Sequence, residues 1–185
     1  MTAAAPPTGI TLVLGGARSG KSRYALKLIE TLPPPWIYVA TSQAHDAEMA
    51  ERIAAHRAQR HQGWQTIEAP HDLPSALANA PLQAPLLVDC MTLWLSNRML
   101  ANATLDAEIR ALELALARRC GALVLVSNEV GQGIVPDNAL ARRFRDLQGE
   151  LNQRLALCAH RVVLMVAGMP LTVKATRGAH DQARE

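Results

Sequence analysis

The chain has 185 residues, of which 19 are Lys or Arg and 16 Asp or Glu, for a formal charge of +3. That length suits one domain with a substantial core, and 49% hydrophobic residues exclude disorder of the whole chain. Three Trp, two Tyr and one Phe are too few for a base-stacking platform, and a surplus of three cations neither demands nor excludes a polyanionic partner, so with so few rings no nucleic-acid partner is expected.

The N-terminal MTAAAPPTG breaks on prolines before any signal-peptide pattern can form, and residues 1–8 and 175–185 read as loose tails on a single domain spanning 1–185. The first apolar run, Ile10–Leu14, predicts a strand, and Ser22–Leu32 follows as a helix with Ala25, Leu28, Ile29 and Leu32 on one side. Strands are predicted at Trp36–Thr41, Leu86–Asp89, Leu123–Ser127 and Arg161–Val166. Each is an apolar run without polar alternation, as in strands covered on both faces of a parallel sheet. Helices are predicted at Asp46–Gln62, Met91–Leu100, Leu105–Arg118 and Asn138–Ala159, the last with Asp137 or Asn138 as its cap. Strand alternating with helix gives an α/β sheet with right-handed crossovers. The apolar stretch from Val162 to Ala167 and a little beyond is far too short for a membrane span. Cys90, Cys120 and Cys158 form no CxxC pair and sit in apolar stretches, which predicts reduced core thiols and a cytoplasmic protein.

One motif carries chemistry. Gly15-Gly16-Ala17-Arg18-Ser19-Gly20-Lys21-Ser22 matches GxxxxGK[ST] between a predicted strand and a predicted helix. Glycines let backbone N–H groups curl around a phosphate, and the helix N-terminus adds partial positive charge. Lys21 brings a full charge to the outer phosphates, and the Ser22 hydroxyl suits Mg²⁺. A second metal-side group is expected at a strand end, where Asp89 closes Leu86-Leu87-Val88; the competing role for Asp89 is to cap the next helix. The loop Ser127-Asn128-Glu129-Val130-Gly131-Gln132-Gly133-Ile134-Val135-Pro136 also follows a strand, and its two glycines allow close backbone approach to a ligand, or simply a structural turn.

Arg52, His56 and Arg60 recur at four-residue steps on the predicted Asp46–Gln62 helix. An imidazole between guanidinium groups has a lowered proton affinity and stays nucleophilic near neutral pH. By periodicity alone the same face reads as basic and solvated, with Glu48–Arg52 as a surface ion pair. His45, His61, His71, His160 and His180 lack the spacing of a structural zinc site.

Taken together, GGARSGKS, YVATSQ, EMAERIAAHRAQR with W-x-T-x-E, LLVDC, and SNEVGQGIVPDN followed by ARRFRDLQGELNQRLA resemble one family over about Ile10 to Lys174. It is the bifunctional adenosylcobinamide kinase/adenosylcobinamide-phosphate guanylyltransferase family of cobalamin biosynthesis. The phosphate loop is shared by very many proteins; the RIxxHR helix together with NEVGxGIVP is far more specific. The resemblance implies a P-loop NTPase fold with a RecA-like, mostly parallel sheet flanked by helices, and two reactions. ATP or GTP phosphorylates the aminopropanol hydroxyl of adenosylcobinamide; GMP then passes from GTP to adenosylcobinamide phosphate, giving adenosylcobinamide-GDP and pyrophosphate. It further implies a GMP–histidine intermediate on His56, with Lys21 as the other catalytic residue. Nucleotide contacts carry over to Gly15–Ser22, to Ala40, Thr41 and Ser42, to Arg57, Ala58, Gln59 and Arg60, and to Glu68 and Asp89, with Mg²⁺ on Ser22 and Asp89. A homotrimer is implied as well. The competing function is a small-molecule P-loop kinase without a covalent nucleotide.

Overall fold

A computed structural model describes residues 6–44, 51, 54, 58 and 62–175. In chain order the elements are β1 (Ile10–Gly15), α1 (Lys21–Ile29), β2 (Trp36–Ala40), β3 (Trp64–Glu68), α2 (Leu73–Asn79), β4 (Leu86–Asp89), α3 (Met91–Leu100), α4 (Leu105–Ala117), β5 (Leu123–Asn128), α5 (Ala139–Cys158), β6 (Arg161–Val166) and β7 (Met169–Ala175). They form one seven-stranded sheet in the order β3-β2-β4-β5-β1-β6-β7. All neighbours run parallel except β6 and β7, which pair antiparallel through a tight turn.

The apolar runs work as expected for strands buried on both faces, because successive side chains point to opposite sides. Leu12, Val39, Val88 and Leu125 face one core with α2, α3, α4 and α5. Val13, Tyr38, Leu87, Val124 and Val126 face the other, against Ala25, Leu28 and Ile29 of α1. The result is a three-layer α/β fold. On the outer surface Arg154 of α5 grips α4: its Nε and Nη2 donate to the two Glu113 oxygens at 2.7 Å, and Nη1 donates to Asp106 at 3.1 Å.

Three elements are absent from the sequence-based expectation, and a fourth, α1, differs in extent. β3 was hidden because it is an edge strand whose side chains are largely exposed. β7 is hidden for the same reason and takes in Ala175, predicted as the first residue of the tail. The short helix α2 begins at Asp72, whose Oδ1 accepts from Ser75 N at 3.2 Å, with Pro74 in its first turn. α3 matches its predicted span, and Asn138 is the cap of α5, its Oδ1 accepting from Leu140 N and Ala141 N. α1 stops at Ile29, short of the predicted Leu32. The expectation of core thiols holds for Cys90 alone; Cys158 is half-buried and Cys120 exposed, because the latter lies in the turn before β5. No helix among the described residues is long and apolar enough to cross a membrane.

Candidate active site

Parallel pairing brings the carboxyl ends of five strands to one rim. Gly15 of β1 lies beside Asn128 of β5, Asp89 of β4 beside Val126 of β5, and Ala40 of β2 between Asp89 and Glu68 of β3. Such a rim is where open α/β sheets bind ligands.

The Gly15–Ser22 loop joins the end of β1 to the start of α1. Gly20 sits at φ +92, which only glycine adopts without strain, and this left-handed step precedes the helix. At Gly15 a side chain is excluded by contact: a Cβ there would lie 2.6 Å from Ser19 Oγ and 3.0 Å from the Met165 carbonyl. A Cβ on Gly16 would meet nothing within 4 Å, so the loop opens outward there. Lys21 is buried, and its Nζ donates to Gly16 O at 2.9 Å across the loop. Ser19 Oγ is buried without a hydrogen bond to protein, leaving a hydroxyl suited to an oxyanion. Two backbone bonds tie the loop down: Glu129 N donates to Gly15 O at 3.0 Å, and Gly168 N, from the β6–β7 turn, donates to Ser19 O at 3.1 Å. Ala17 and Arg18 are exposed, while Ser22 is half-buried.

β5 lies between β1 and β4, so the Ser127–Glu129 segment stands midway along the rim. A buried network behind it fixes this segment. Ser127 Oγ donates to Asn152 Oδ1 at 2.6 Å, Gln148 Nε2 reaches both, and Asn152 Nδ2 donates to Asn128 O at 3.0 Å. Thr92 Oγ1 accepts from Asn128 N at 2.7 Å. Glu129 turns its Oε1 to Gly131 N at 2.8 Å, holding the glycine loop that follows.

Asp89 does not cap the next helix. The N-cap of α3 is Cys90, with no side-chain cap, and Asp89 Oδ2 instead accepts from Tyr38 OH at 3.1 Å. Beside it, the Thr41 hydroxyl is fully buried and both accepts from Cys90 N (2.8 Å) and donates to Cys90 O (2.7 Å). The Thr41 side chain therefore faces the protein, and Ser42 is half-buried next to it. Burial, then the Asp89 charge, push the Cys90 thiol up to about 12, so it stays protonated at neutral pH and is no nucleophile. Glu68 is exposed at the end of β3.

His56, Arg57, Gln59 and Arg60, like Arg52, lie outside the described residues. Of the predicted Asp46–Gln62 helix, Glu51, Ala54, Ala58 and Gln62 are described; the first three are helical and exposed, and Gln62 already lies in the turn before β3. The rim thus brings together Gly15–Ser22, Ala40, Thr41, Ser42, Glu68 and Asp89. It adds Tyr38, Thr92, Gln148, Asn152 and Gly168, none of which the sequence singled out. No group of three or more His, Cys, Asp or Glu suited to a metal occurs among the described residues.

A glycine loop closing on a helix, a lysine folded across it and a carboxylate on a neighbouring strand end define a P-loop nucleotide-handling α/β protein. The family model for cobinamide kinase / cobinamide phosphate guanyltransferase matches residues 11–173, and the chain belongs to that family. It is 46% identical over 166 residues to the bifunctional adenosylcobalamin biosynthesis protein CobP of Pseudomonas aeruginosa, covering 88% of this chain and 96% of that one. It is 42% identical over 180 residues to the bifunctional adenosylcobalamin biosynthesis protein CobU of Salmonella typhimurium, covering 88% and 98%. Among solved structures, the flagellar accessory protein FlaH of Methanocaldococcus jannaschii aligns with a TM-score of 0.50 at 9% identity, over 93% of this chain and 81% of that one. At that identity the likeness concerns the fold alone.

Proposed function

We propose that the chain performs both reactions for which its family is named, using the rim described above for the nucleotide and His56 as a covalent carrier in the second. The match over residues 11–173 is the observation that carries this reading, and the phosphate loop supplies its physical basis.

In the kinase step, Gly15–Ser22 cradles the triphosphate, and Lys21 exchanges Gly16 O for the outer phosphate oxygens, neutralising charge that builds during transfer to the cobinamide hydroxyl. Ser22 and Asp89 fit Mg²⁺. One hydroxyl and one carboxylate at the rim are a sparse donor set, and Mg²⁺ keeps most of its waters. When bound, the ion would screen the phosphate oxygens; Tyr38 OH orients the Asp89 carboxylate. Ala40, Thr41, Ser42, Glu68 and the Arg57–Arg60 set are assigned to the nucleotide on the family resemblance.

In the second step a neutral His56 nitrogen attacks the α-phosphorus of GTP, the bond to the bridging oxygen breaks, and pyrophosphate leaves. A phosphate oxygen of the cobinamide phosphate then displaces the imidazole, giving the GDP-capped product and restoring His56. Sharing one attacking group between two displacements lets the same cations stabilise both. The assembly is assigned as a homotrimer, for which the apolar residues Met169, Leu171 and Val173 on the exposed β7 edge offer contact area.

The test is incubation with α-labelled GTP. The protein should acquire an acid-labile, alkali-stable label that His56→Ala abolishes while phosphoryl transfer continues. Label retained in His56→Ala would remove His56 from the mechanism, and a wild-type protein that never labels would leave a simple P-loop kinase.

A further inference from the structure

Pairing between β4 and β5 ends where Asp89 lies opposite Val126. The chain then turns into α3, so Asn128, two residues further along β5, has no strand on that side to receive its backbone groups. Two side chains take them instead. Thr92 Oγ1 of α3 accepts from Asn128 N at 2.7 Å, and Asn152 Nδ2 of α5 donates to Asn128 O at 3.0 Å. The Asn152 amide has one permitted orientation, because its Oδ1 already receives Ser127 Oγ at 2.6 Å and Gln148 Nε2 at 2.9 Å. Ser127 and Gln148 are fully buried and Asn152 nearly so, which leaves little water to replace a lost bond.

The Asn128 carbonyl belongs to the same peptide unit as Glu129 N–H, and Glu129 N donates to Gly15 O at 3.0 Å. That unit is planar, so its two ends cannot turn independently: holding the oxygen from α5 aims the N–H at Gly15. The same rule applies one peptide further on. The Gly15 carbonyl shares its plane with Gly16 N–H at the entry to the phosphate loop, and Gly16 O is the acceptor of Lys21 Nζ at 2.9 Å. We infer that Asn152 is a positioning residue for the nucleotide: acting through the Asn128–Glu129 peptide, it sets the direction of the Gly15 carbonyl and with it the mouth of the loop. Buried on α5 behind β5, it acts only through that backbone. The inference rests on the reading of Gly15–Ser22 as the triphosphate cradle.

Calorimetric titration of the full chain with GTP and Mg²⁺ reads the effect. In Asn152→Ala the affinity should fall about tenfold, the scale of one hydrogen bond. The KM for GTP in phosphoryl transfer should rise by the same factor, while the KM for cobinamide stays within about twofold. A side chain that served stability alone would lower the active fraction, and so the apparent kcat, and leave both KM values in place. Arg154→Ala, on the same helix but on the outer surface, supplies that pattern for comparison: a lower melting temperature with GTP affinity unchanged. Asn152→Asp keeps the shape and the acceptor for Ser127 and Gln148 but replaces the donor. The groups bonded to this position are uncharged, and burial raises a carboxyl above its ordinary range. Protonated, it can donate to Asn128 O; ionised, it repels that oxygen, so GTP affinity relative to wild type should recover as pH is lowered from about 8 to about 6. Unchanged GTP affinity in Asn152→Ala, a ratio flat with pH in Asn152→Asp, or thermal melts showing both variants unfolded would each overturn the inference. If Lys21→Ala weakens GTP binding and Asn152→Ala does not, the inference alone fails. If Lys21→Ala binds GTP as wild type does, the cradle reading beneath it fails.

Discussion

Thr41→Val isolates the bond pair that joins β2 to the start of α3. Valine keeps the shape of threonine and removes the hydroxyl that engages both Cys90 N and Cys90 O, at 2.8 and 2.7 Å. Thr41 is fully buried and Cys90 nearly so, so water cannot readily replace the lost partner. An unpaired buried polar group costs about 1–3 kcal/mol, and Cys90 N is the one orphaned, since Cys90 O keeps its bond from Trp94 N at 3.2 Å; with the lost bond to Cys90 O set against the apolar contact of the added methyl, roughly 1–3 kcal/mol is the net expectation. For a chain of this size each kcal/mol moves the melting temperature by about 2–4 °C, which puts the variant roughly 2–12 °C below wild type. Thr41→Ser retains the hydroxyl and loses one methyl, so it should fall by only about 1 kcal/mol. Thermal and urea unfolding of the three proteins side by side decide the matter. A valine variant within about 0.5 kcal/mol of wild type, or a serine variant less stable than the valine one, would refute the assignment of that hydroxyl to Cys90.

Lys21→Ala removes the cation that Gly16 O holds in place, and triphosphate affinity should drop about 10- to 100-fold, the range for a charge-assisted hydrogen bond, as read by titration calorimetry. Arg154→Ala severs the link between α4 and α5 and should destabilise by about 1 kcal/mol, given a bidentate but partly exposed pair. Hydrogen bonding to Arg154 holds the Glu113 carboxyl below its ordinary value, so this contribution is present above that ordinary value and is lost as pH falls through the lowered one. The melting temperatures of wild type and Arg154→Ala should therefore converge below about pH 4.

The doubly buried strands were legible because continuous apolar runs have one economical fate in an α/β chain, burial between two layers of helix. β3 and β7 were not, because an edge strand keeps a face in water: Gln65 and Thr66 in β3, and Met169, Leu171 and Val173 in β7, carry no burial pattern to read. The phosphate loop was legible as a local feature, its residues adjacent in the chain. Asp89 is visible in the sequence but ambiguous, and only the N-cap at Cys90 and the bond from the Tyr38 hydroxyl remove its capping role. Thr41 was singled out as a nucleotide contact, yet its hydroxyl points to a backbone 49 positions away, which no local pattern encodes. Asn97, Gln148 and Asn152 sit among apolar neighbours in helices and show their purpose only once their distant acceptors are in place.

The interposition of β5 between β1 and β4 makes one strand the ruler of the whole rim. Strand spacing in a sheet is close to 4.8 Å, so the backbone under the glycine loop and that under Asp89 stand about 10 Å apart, with no freedom to drift independently. A one-residue slip of β5 would spoil both halves at once, misplacing the anchor on Gly15 and the register against β4 in a single event. Insertions should accordingly be tolerated in the loop after Glu129 and not in the six residues before it.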